Sequence, residues 1–506
     1  MEQAELKMDE LEEDSSRSRW TYGLFAALHT LGWFLVACLS QSNAPFDHIE
    51  MVYWGHEWQW GYYKHPPLTA WLAELASQLF GNRVWPVYLL SVMCILGCFQ
   101  AVWRLGRGVL SPWSAVLAVL LITPSVYFGW SSTEFNNNIS AKVCWAMFIL
   151  CLYRGIHRGG YGWWLFTGLW LGGAVLSKYD AGLLLLSCAG FSLVHASARQ
   201  RWKTAGPWLM VLTTAIVISP HLWWMWSNDF ATLQYLKARV GAKPTVIGHL
   251  LNPLGFLGAQ LAAVAPCLLL ASLILRWPLK RRVLEGEPEF ARQYLTWVLL
   301  GPVVLACLFS AVSGGRLRSM WGAAMFTYMG AVLLLWFEHR TDRLAIRRFL
   351  LCAAGLGLLM ALGASGRNAL GGYYRDKVSR VDFPGERLSR QVREIWSQQT
   401  SAPLKYTGGD WWLCGNVGAY LSERPSVYTD LNERLAPWMN DAEFKRQGGM
   451  ILWQEPDAGE EYRAILSTRF PEAKLLETLT IASERFPNQQ PVTIGMAIMR
   501  PESSAE

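Results

Sequence analysis

The chain reads as a series of long apolar runs separated by short polar connections. A run of about 17–25 apolar residues is long enough to cross a bilayer as a helix. Eleven occur, at roughly 20–40, 84–104, 109–130, 139–154, 161–177, 181–198, 205–226, 253–275, 293–312, 319–337 and 347–366. Several are short or contain Gly and Pro, so one of them fits a re-entrant segment. The pattern changes near residue 368. ERLSRQVREIWSQQ carries helical spacing of its apolar positions, whereas LKYTG, SVYTD, GMILW and VTIGMAIMR read as short strands. The expected fold is a polytopic α-helical membrane protein of about 11 spans with a C-terminal soluble α/β domain. Its expected divisions are a cytoplasmic tail over 1–19, a membrane domain over 20–367 and the α/β domain over 368–506.

Composition agrees with that pattern. Of 506 residues, 52% are hydrophobic and only 16% charged, against about 25% charged in average soluble domains. The 28 Trp suit a protein with bilayer interfaces. The net charge of +7 sits in short loops between apolar runs rather than on one soluble face, so no nucleic-acid partner is implied. Most of the ten Cys lie within apolar runs, no CxxC pair occurs, and Cys414 stands alone in the polar C-terminal region. They read as small buried hydrophobes, not as a disulfide framework. Residues 1–19 are charged, and the apolar run behind them lacks a small-residue cleavage site, so it reads as an uncleaved first span.

Lys and Arg set the orientation. One set of connections holds Arg17/Arg19, Arg104/Arg107, Arg154/Arg158, Arg199/Arg201/Lys203, Arg276/Lys280/Arg281/Arg282 and Arg340/Arg343/Arg347/Arg348. The other, poorer set holds Lys64, Arg83, Lys178, Lys237, Arg239, Lys243, Arg316 and Arg318. The richer side belongs in the cytoplasm of an inner membrane. The unusual polar turns and the C-terminal domain then share the periplasmic face.

Those turns carry the candidate chemistry. The first loop reads NAPFDHIEMVYWGHEWQWGYYKHPPL. Pro45 suits a helix start, and Asp47, Glu50 and Trp54 recur on one helical face. The two carboxylates fit a general base, or equally a helix N-terminus that faces water. Pro66-Pro67 stop a helix and hold Lys64-His65 in a turn, where Lys64 either binds an anion or snorkels to headgroups. EFNNN places Glu134, Asn136 and Asn138 before a span, with Lys142 one turn inside it. SKYDA places Lys178 and Asp180 between two spans, and SGGRLRS supplies Arg316 and Arg318. Ionisable groups at this depth are costly and mark functional candidates. Lys142 and Lys178 lead among them; Arg316 and Arg318 fit headgroup contacts, and Lys178–Asp180 also fits a structural pair. Nucleotide-binding loops are absent. His56-Glu57 begins like a zinc-protease helix, but Trp60 stands where the second His belongs. No cofactor is called for, and a divalent metal on Asp47 and Glu50 would need further ligands.

Together these residues resemble the polytopic glycosyltransferases that take sugars from polyprenyl-phosphate carriers. This is the GT-C, protein O-mannosyltransferase-like superfamily, which includes the bacterial enzyme adding aminoarabinose to lipid A. The resemblance rests on Asp47 followed by WGYYKHPPLTAWL, on EFNNN, on LSKYDAGLLLL, and on SPHLWWMWSNDF with YLKAR behind it. It covers roughly residues 20–340 and implies an inverting transfer with Asp47 as catalytic base. It further implies that Lys64, His65 and Lys178 face the donor phosphate, with Glu50, Asn138 and Arg318 as further substrate-binding candidates. Trp54, Trp58, Trp60, Tyr62 and Tyr63 are expected to pack on the sugar or the carrier, and the loop 227–252 to gate the site. The implied partners are a polyprenyl-phosphate-linked sugar, the lipid bilayer, and a glycolipid, polysaccharide or protein acceptor. His65 stands where the aminoarabinose enzyme has Lys, and Asn138 where relatives often carry Asp. A transporter or lipid flippase is the alternative, although it would favour paired repeats, which the chain lacks.

Overall fold

The structure is a computed structural model that describes residues 2–240 and 245–502, without the side chains of residues 2–11 and 240. Lys243, counted above among the loop cations, lies outside the described residues. The membrane part runs through α1 (Glu2–Ser40), α2 (Phe46–His56), α3 (Leu68–Leu79), α4 (Pro86–Val109), α5 (Pro112–Leu120), α6 (Asn137–Arg158), α7 (Tyr161–Ser177), α8 (Ala181–Val194), α9 (Ala196–Arg201), α10 (Ala205–Ser227), α11 (Ala231–Val240), α12 (Gly248–Ser272), α13 (Gly286–Ser313), α14 (Met329–Trp336) and α15 (Arg343–Leu370).

Among the described residues, seven helices are long and apolar enough to cross a membrane: α1, α4, α6, α10, α12, α13 and α15. The remaining expected runs fold as shorter helices. Run 109–130 becomes α5, capped by Ser111, and then turns through Pro124, which cannot continue a helix. Run 319–337 opens as a 3-10 turn and yields only α14, while 161–177 and 181–198 form α7 and α8. The outward faces are apolar: Leu24, Leu28, Leu31 and Leu35 line one exposed stripe of α1 at helical spacing. In water such a stripe would be a liability; in lipid it is the ordinary solvent-facing surface.

The C-terminal part comprises α16 (Gly385–Gln399), β1 (Tyr406–Gly409), α17 (Trp411–Tyr420), β2 (Ser426–Thr429), α18 (Asp441–Gln447), β3 (Gly449–Gln454), α19 (Gly459–Arg469), β4 (Lys474–Leu475), β5 (Leu479–Ile481) and β6 (Val492–Met499). The sheet order is β2-β1-β3-β6-β4, with β5 also on β6. β1 is parallel to β2 and β3, whereas β6 runs antiparallel to β3, with Ile451 opposite Ala497. The four short strands and the amphipathic helix expected from the sequence all form.

This α/β layer is not a loosely tethered module. One continuous apolar core runs from the membrane helices through Ile49 and Tyr53 of α2 into Leu413 and Val417 of α17. α2 packs on α3 so closely that a Cβ at Gly55 would lie 2.7 Å from the Glu74 Cβ and would strike the Ala70 carbonyl. On its other side, a Cβ at Gly415 would lie 2.9 Å from the Tyr53 ring. Arg424, just before β2, then reaches back across this packing. It donates to Glu74 at 2.7 Å, to the Val52 carbonyl at 3.1 Å and to Ser77 at 3.2 Å. Both members of the ion pair are buried, at 3% and 1% exposure. Breaking a buried pair from one side leaves an uncompensated charge, which costs about 3–5 kcal/mol. Arg424→Ala is therefore expected to destabilise the protein by that order in thermal unfolding, and Arg424→Ala/Glu74→Ala by less than the sum of the two single changes.

Candidate active site

α2 begins at Pro45 and carries Asp47 in its first turn. The Asp47 backbone N–H, one of the helix-end donors that need an external acceptor, donates to Glu134 Oε1 at 2.9 Å. Glu134 belongs to the EFNNN turn, and Asn136 of the same turn caps α6 by accepting from the Asn138 N–H at 3.0 Å. Asn138 Oδ1 in turn accepts from Lys178 Nζ at 2.8 Å, and Lys178 also pairs with Asp180 at 2.9 Å. One five-residue stretch thus ties the carboxylate-bearing helix to the cation at the end of α7. Asn137 braces it from behind, donating to Thr69 at 3.1 Å and to the Ser177 carbonyl at 2.9 Å.

The opposite wall is the turn before the proline pair. Tyr62 and His65 exchange backbone hydrogen bonds of 3.0 and 3.2 Å, and Pro67 then opens α3. Within that turn Lys64 Nζ donates to Glu50 at 2.5 Å. Lys64 also lies 5.1 Å from the Tyr63 ring centroid and 4.8 Å from that of Trp411. Trp411 comes from the first residue of α17, where Asp410 accepts from the Trp412 and Leu413 N–H groups, so the α/β layer contributes directly to the site. Its ring meets Phe46 edge-on at 4.1 Å, and the Arg380 guanidinium lies over Phe46 at 3.6 Å.

Electrostatics follow from burial in this crowd of charges. Burial raises the Asp47 pKa, opposed by Lys64, Arg380 and Arg239. Burial and then the neighbouring Asp47 carboxylate push Glu134 up to about 8, although the Asp47 N–H pulls it down. Glu50 is pushed up to about 7 by burial, against the pull of Lys64. Burial also works against the Lys64 charge, but Glu50 and Tyr63 together outweigh it and raise the Lys64 pKa. His65 is lowered to about 3 by burial and then by Lys178, Lys64 and Arg239 around it. It is therefore a neutral imidazole that can offer a hydrogen bond but no charge.

Asp47, Lys64, His65, Asn138 and Lys178 are thus gathered around one site. Other expectations change. Glu50 is 3% exposed and engaged with Lys64, so it positions that cation rather than touching a substrate. Trp54 and Tyr62 are fully buried and stacked on each other at 4.8 Å, which leaves no face for a sugar; Trp58 and Trp60 instead pack around Trp71 on an exposed surface. Lys142 donates to the Tyr127 carbonyl and to Ser131, at 3.1 Å for the latter, and so holds backbone inside the bundle. Arg318 is exposed, on the loop whose Trp321 lies 6.0 Å from Lys178. Among the described residues, no three His, Cys, Asp or Glu side chains converge as a metal-holding group. The apolar cavity lined by Phe148, Leu152, Ile156, Trp164, Leu171 and Met210 contains none of these groups. Sequence reasoning missed Arg380 and Trp411, which reach the site only through the docking of the C-terminal part.

Residues 64–224 match the family of dolichyl-phosphate-mannose-protein mannosyltransferases. The matched family and the similar proteins are glycosyltransferases. The chain is 23% identical over 480 residues to the lipopolysaccharide core galacturonosyltransferase RgtA of Rhizobium johnstonii, covering 91% of this chain and 92% of that protein. It is 24% identical over 323 residues to the lipid A galacturonosyltransferase RgtD of the same organism, covering 63% of this chain and 65% of the relative, just under two thirds of its length. The crystal structure of ArnT from Cupriavidus metallidurans bound to undecaprenyl phosphate shares the fold of this chain, with a TM-score of 0.64 at 14% identity over 94% of this chain and 98% of that one.

Lys64 and Glu50 are both mostly buried, so their attraction is little screened. A double-mutant cycle of Glu50→Gln and Lys64→Met, read by thermal unfolding in detergent, is expected to give a coupling of about 1–3 kcal/mol. A coupling near zero would mean that the pair does not fix the turn.

Proposed function

We propose that this glycosyltransferase moves a galacturonic acid residue from a polyprenyl-phosphate carrier to a hydroxyl of lipid A or of the lipopolysaccharide core, with inversion. The observation that carries this reading is the turn Glu134–Asn138. It holds Asp47 and Lys178 to one site, opposite Lys64 and His65. Asp47 takes the proton of the acceptor hydroxyl, whose oxygen forms the new bond to C1 of the sugar. The C1–O bond to phosphate breaks, and its electron pair leaves on the phosphate oxygen. Lys64 and Lys178 balance the charge that grows there, His65 adds a neutral hydrogen bond, and Asn138 steadies Lys178. The relatives' names support the sugar and the acceptor, and the undecaprenyl phosphate bound to ArnT supports the carrier. The loop expected to gate the site bears Arg239 on α11, whose charge acts on Asp47 and His65; Arg318 remains a peripheral candidate.

The same reading places residues 20–367 in the inner membrane, the tail 1–19 in the cytoplasm, and the active site with residues 368–506 on the periplasmic side, where the acceptors lie. No observation favours the transporter alternative.

Asp47→Asn keeps size and hydrogen bonding but removes the base. Transfer from a synthetic polyprenyl-phosphate galacturonic acid to lipid A is expected to fall about 10²–10⁴-fold, with donor binding retained. Full transfer by a folded Asp47→Asn protein would remove Asp47 from the mechanism. The pH profile gives an independent check. A base acts only when deprotonated, and burial raises the Asp47 pKa. Activity should therefore rise with pH through a limb above the ordinary carboxylate range, and a limb at about 4 would contradict the assignment.

A further inference from the structure

A galacturonyl donor differs from a neutral hexosyl donor in one respect that matters electrostatically: it carries a carboxylate on the sugar. The phosphate-facing cations are already engaged. Lys64 is paired with Glu50, and Lys178 with Asp180 and Asn138. A second anion less than one sugar ring away needs another cation, and a guanidinium is best suited to grip a carboxylate with two parallel hydrogen bonds.

Arg380 meets this need. It lies in the short 3-10 turn Arg380–Asp382, just beyond α15. That turn is docked on the start of the first loop: the Ser42 and Asn43 N–H groups both donate to the Val381 carbonyl at 2.9 Å, and Asn43 Nδ2 donates to the Arg380 carbonyl at 3.1 Å. The Arg380 side chain is thereby carried to the N-terminus of α2, where it lies over Phe46, the residue before Asp47. Contacts then run from the guanidinium to Phe46 at 3.6 Å, from Phe46 to Trp411 at 4.1 Å and from Trp411 to Lys64 at 4.8 Å. Among the described residues, no carboxylate forms a salt bridge with Arg380, and its side chain is exposed. Its donors thus stand unpaired at the rim of the site, with the guanidinium seated over the Phe46 ring.

We propose that Arg380 binds the sugar carboxylate of a uronic acid donor, and that Phe46 and Trp411 form the aromatic floor between this contact and the phosphate contact. This inference rests on the polyprenyl-phosphate reading above and adds the residue that selects the sugar. Its electrostatic reach to Asp47 and Glu134 fits a position beside the reacting carbon.

Equilibrium binding separates the two readings. The full-length protein in lipid nanodiscs would be titrated with bare polyprenyl phosphate, with polyprenyl-phosphate galactose and with polyprenyl-phosphate galacturonic acid. The expected result is that the galacturonyl donor binds about 10–100-fold more tightly than the galactosyl donor, as a charge-assisted hydrogen-bond pair allows. In Arg380→Gln this ratio should fall to near one, and Arg380→Lys should restore part of it. Arg375→Gln, which removes the same charge five positions away, should keep the wild-type ratio. Equal binding of both donors by the wild type, or an unchanged ratio in Arg380→Gln, would overturn the sugar assignment while leaving the carrier reading intact. Failure of all three ligands to bind would overturn both. The guanidinium is exposed and the Arg380 carbonyl that anchors the turn is kept in every variant, so folding is not at stake.

Discussion

The site depends on how the first loop is held, and the buried Arg424–Glu74 pair is the contact that holds it. α2 has only 11 residues, and a helix of that length is marginal on its own in water. Its place must therefore come from its neighbours. α3 lies against one face at Gly55, α17 against another at Gly415, and Arg424 joins the Val52 carbonyl of α2 to Glu74 and Ser77 of α3. Arg424 adopts a left-handed backbone with φ 49°, uncommon for a residue with a side chain. Such a conformation persists where surrounding contacts over-determine it, and here the buried hydrogen bonds do so. Glu74 is further satisfied by Gln78 at 2.7 Å, with His56 Nδ1 3.7 Å away. A buried ion pair adds little stability compared with an apolar replacement, but its geometry permits few alternatives. The α/β layer is in this sense structural to the membrane chemistry, because it fixes the helix that carries Asp47.

The charges around Asp47 show a second constraint. Each cation facing the proposed phosphate position already has a carboxylate or amide partner. An unpaired buried ammonium would be costly, and Glu50 pairs with Lys64 as Asp180 does with Lys178. The same partners limit how tightly an incoming phosphate is held, since it must share each cation. Asp47 experiences the opposite pressure. Burial resists its ionisation, whereas Lys64, Arg380 and Arg239 favour it. A carboxylate whose proton affinity is raised in this way is a stronger base than one in water.

Local pattern made much of this legible. Seven of the eleven apolar runs form helices long enough to cross a membrane, alternation gave β1, β2, β3 and β6, and the proline pair gave the turn that presents Lys64. The polar turns could be grouped because Lys and Arg asymmetry placed them on one face. What pattern could not show is pairing over long separations. Lys142 and Lys178 look alike in sequence, each a Lys among apolar residues at a span end. Only the fold turns Lys142 onto the Tyr127 carbonyl and Lys178 toward Asn138. The aromatic residues Trp54, Trp58, Trp60, Tyr62 and Tyr63 show the same limit. Their rings occur at spacings that suit either a ligand floor or a core, and tertiary packing buries Tyr62 beneath Trp54 while leaving Trp58 and Trp60 outside. Arg380 had no local signal at all, since its turn is one polar segment among several until it docks on Ser42 and Asn43.

This division has a functional logic on the proposed reading. The segment that matches the mannosyltransferase family, residues 64–224, contains Lys64, His65, Asn138 and Lys178. These are the groups assigned to the carrier phosphate, the part of the donor that a mannosyl and a galacturonyl carrier have in common. Arg380 and Trp411 lie outside that segment, on the chain that follows the last membrane helix. Enzymes that share a carrier but differ in sugar need to vary only the contacts beyond the phosphate. Carrying those contacts on a separate part of the chain lets the sugar preference change while Lys64 and Lys178 stay in place. The cost is that the two parts must stay in register to within hydrogen-bonding distance. The Arg424–Glu74 clamp and the docking of Val381 on the first loop supply that register, one on each side of α2.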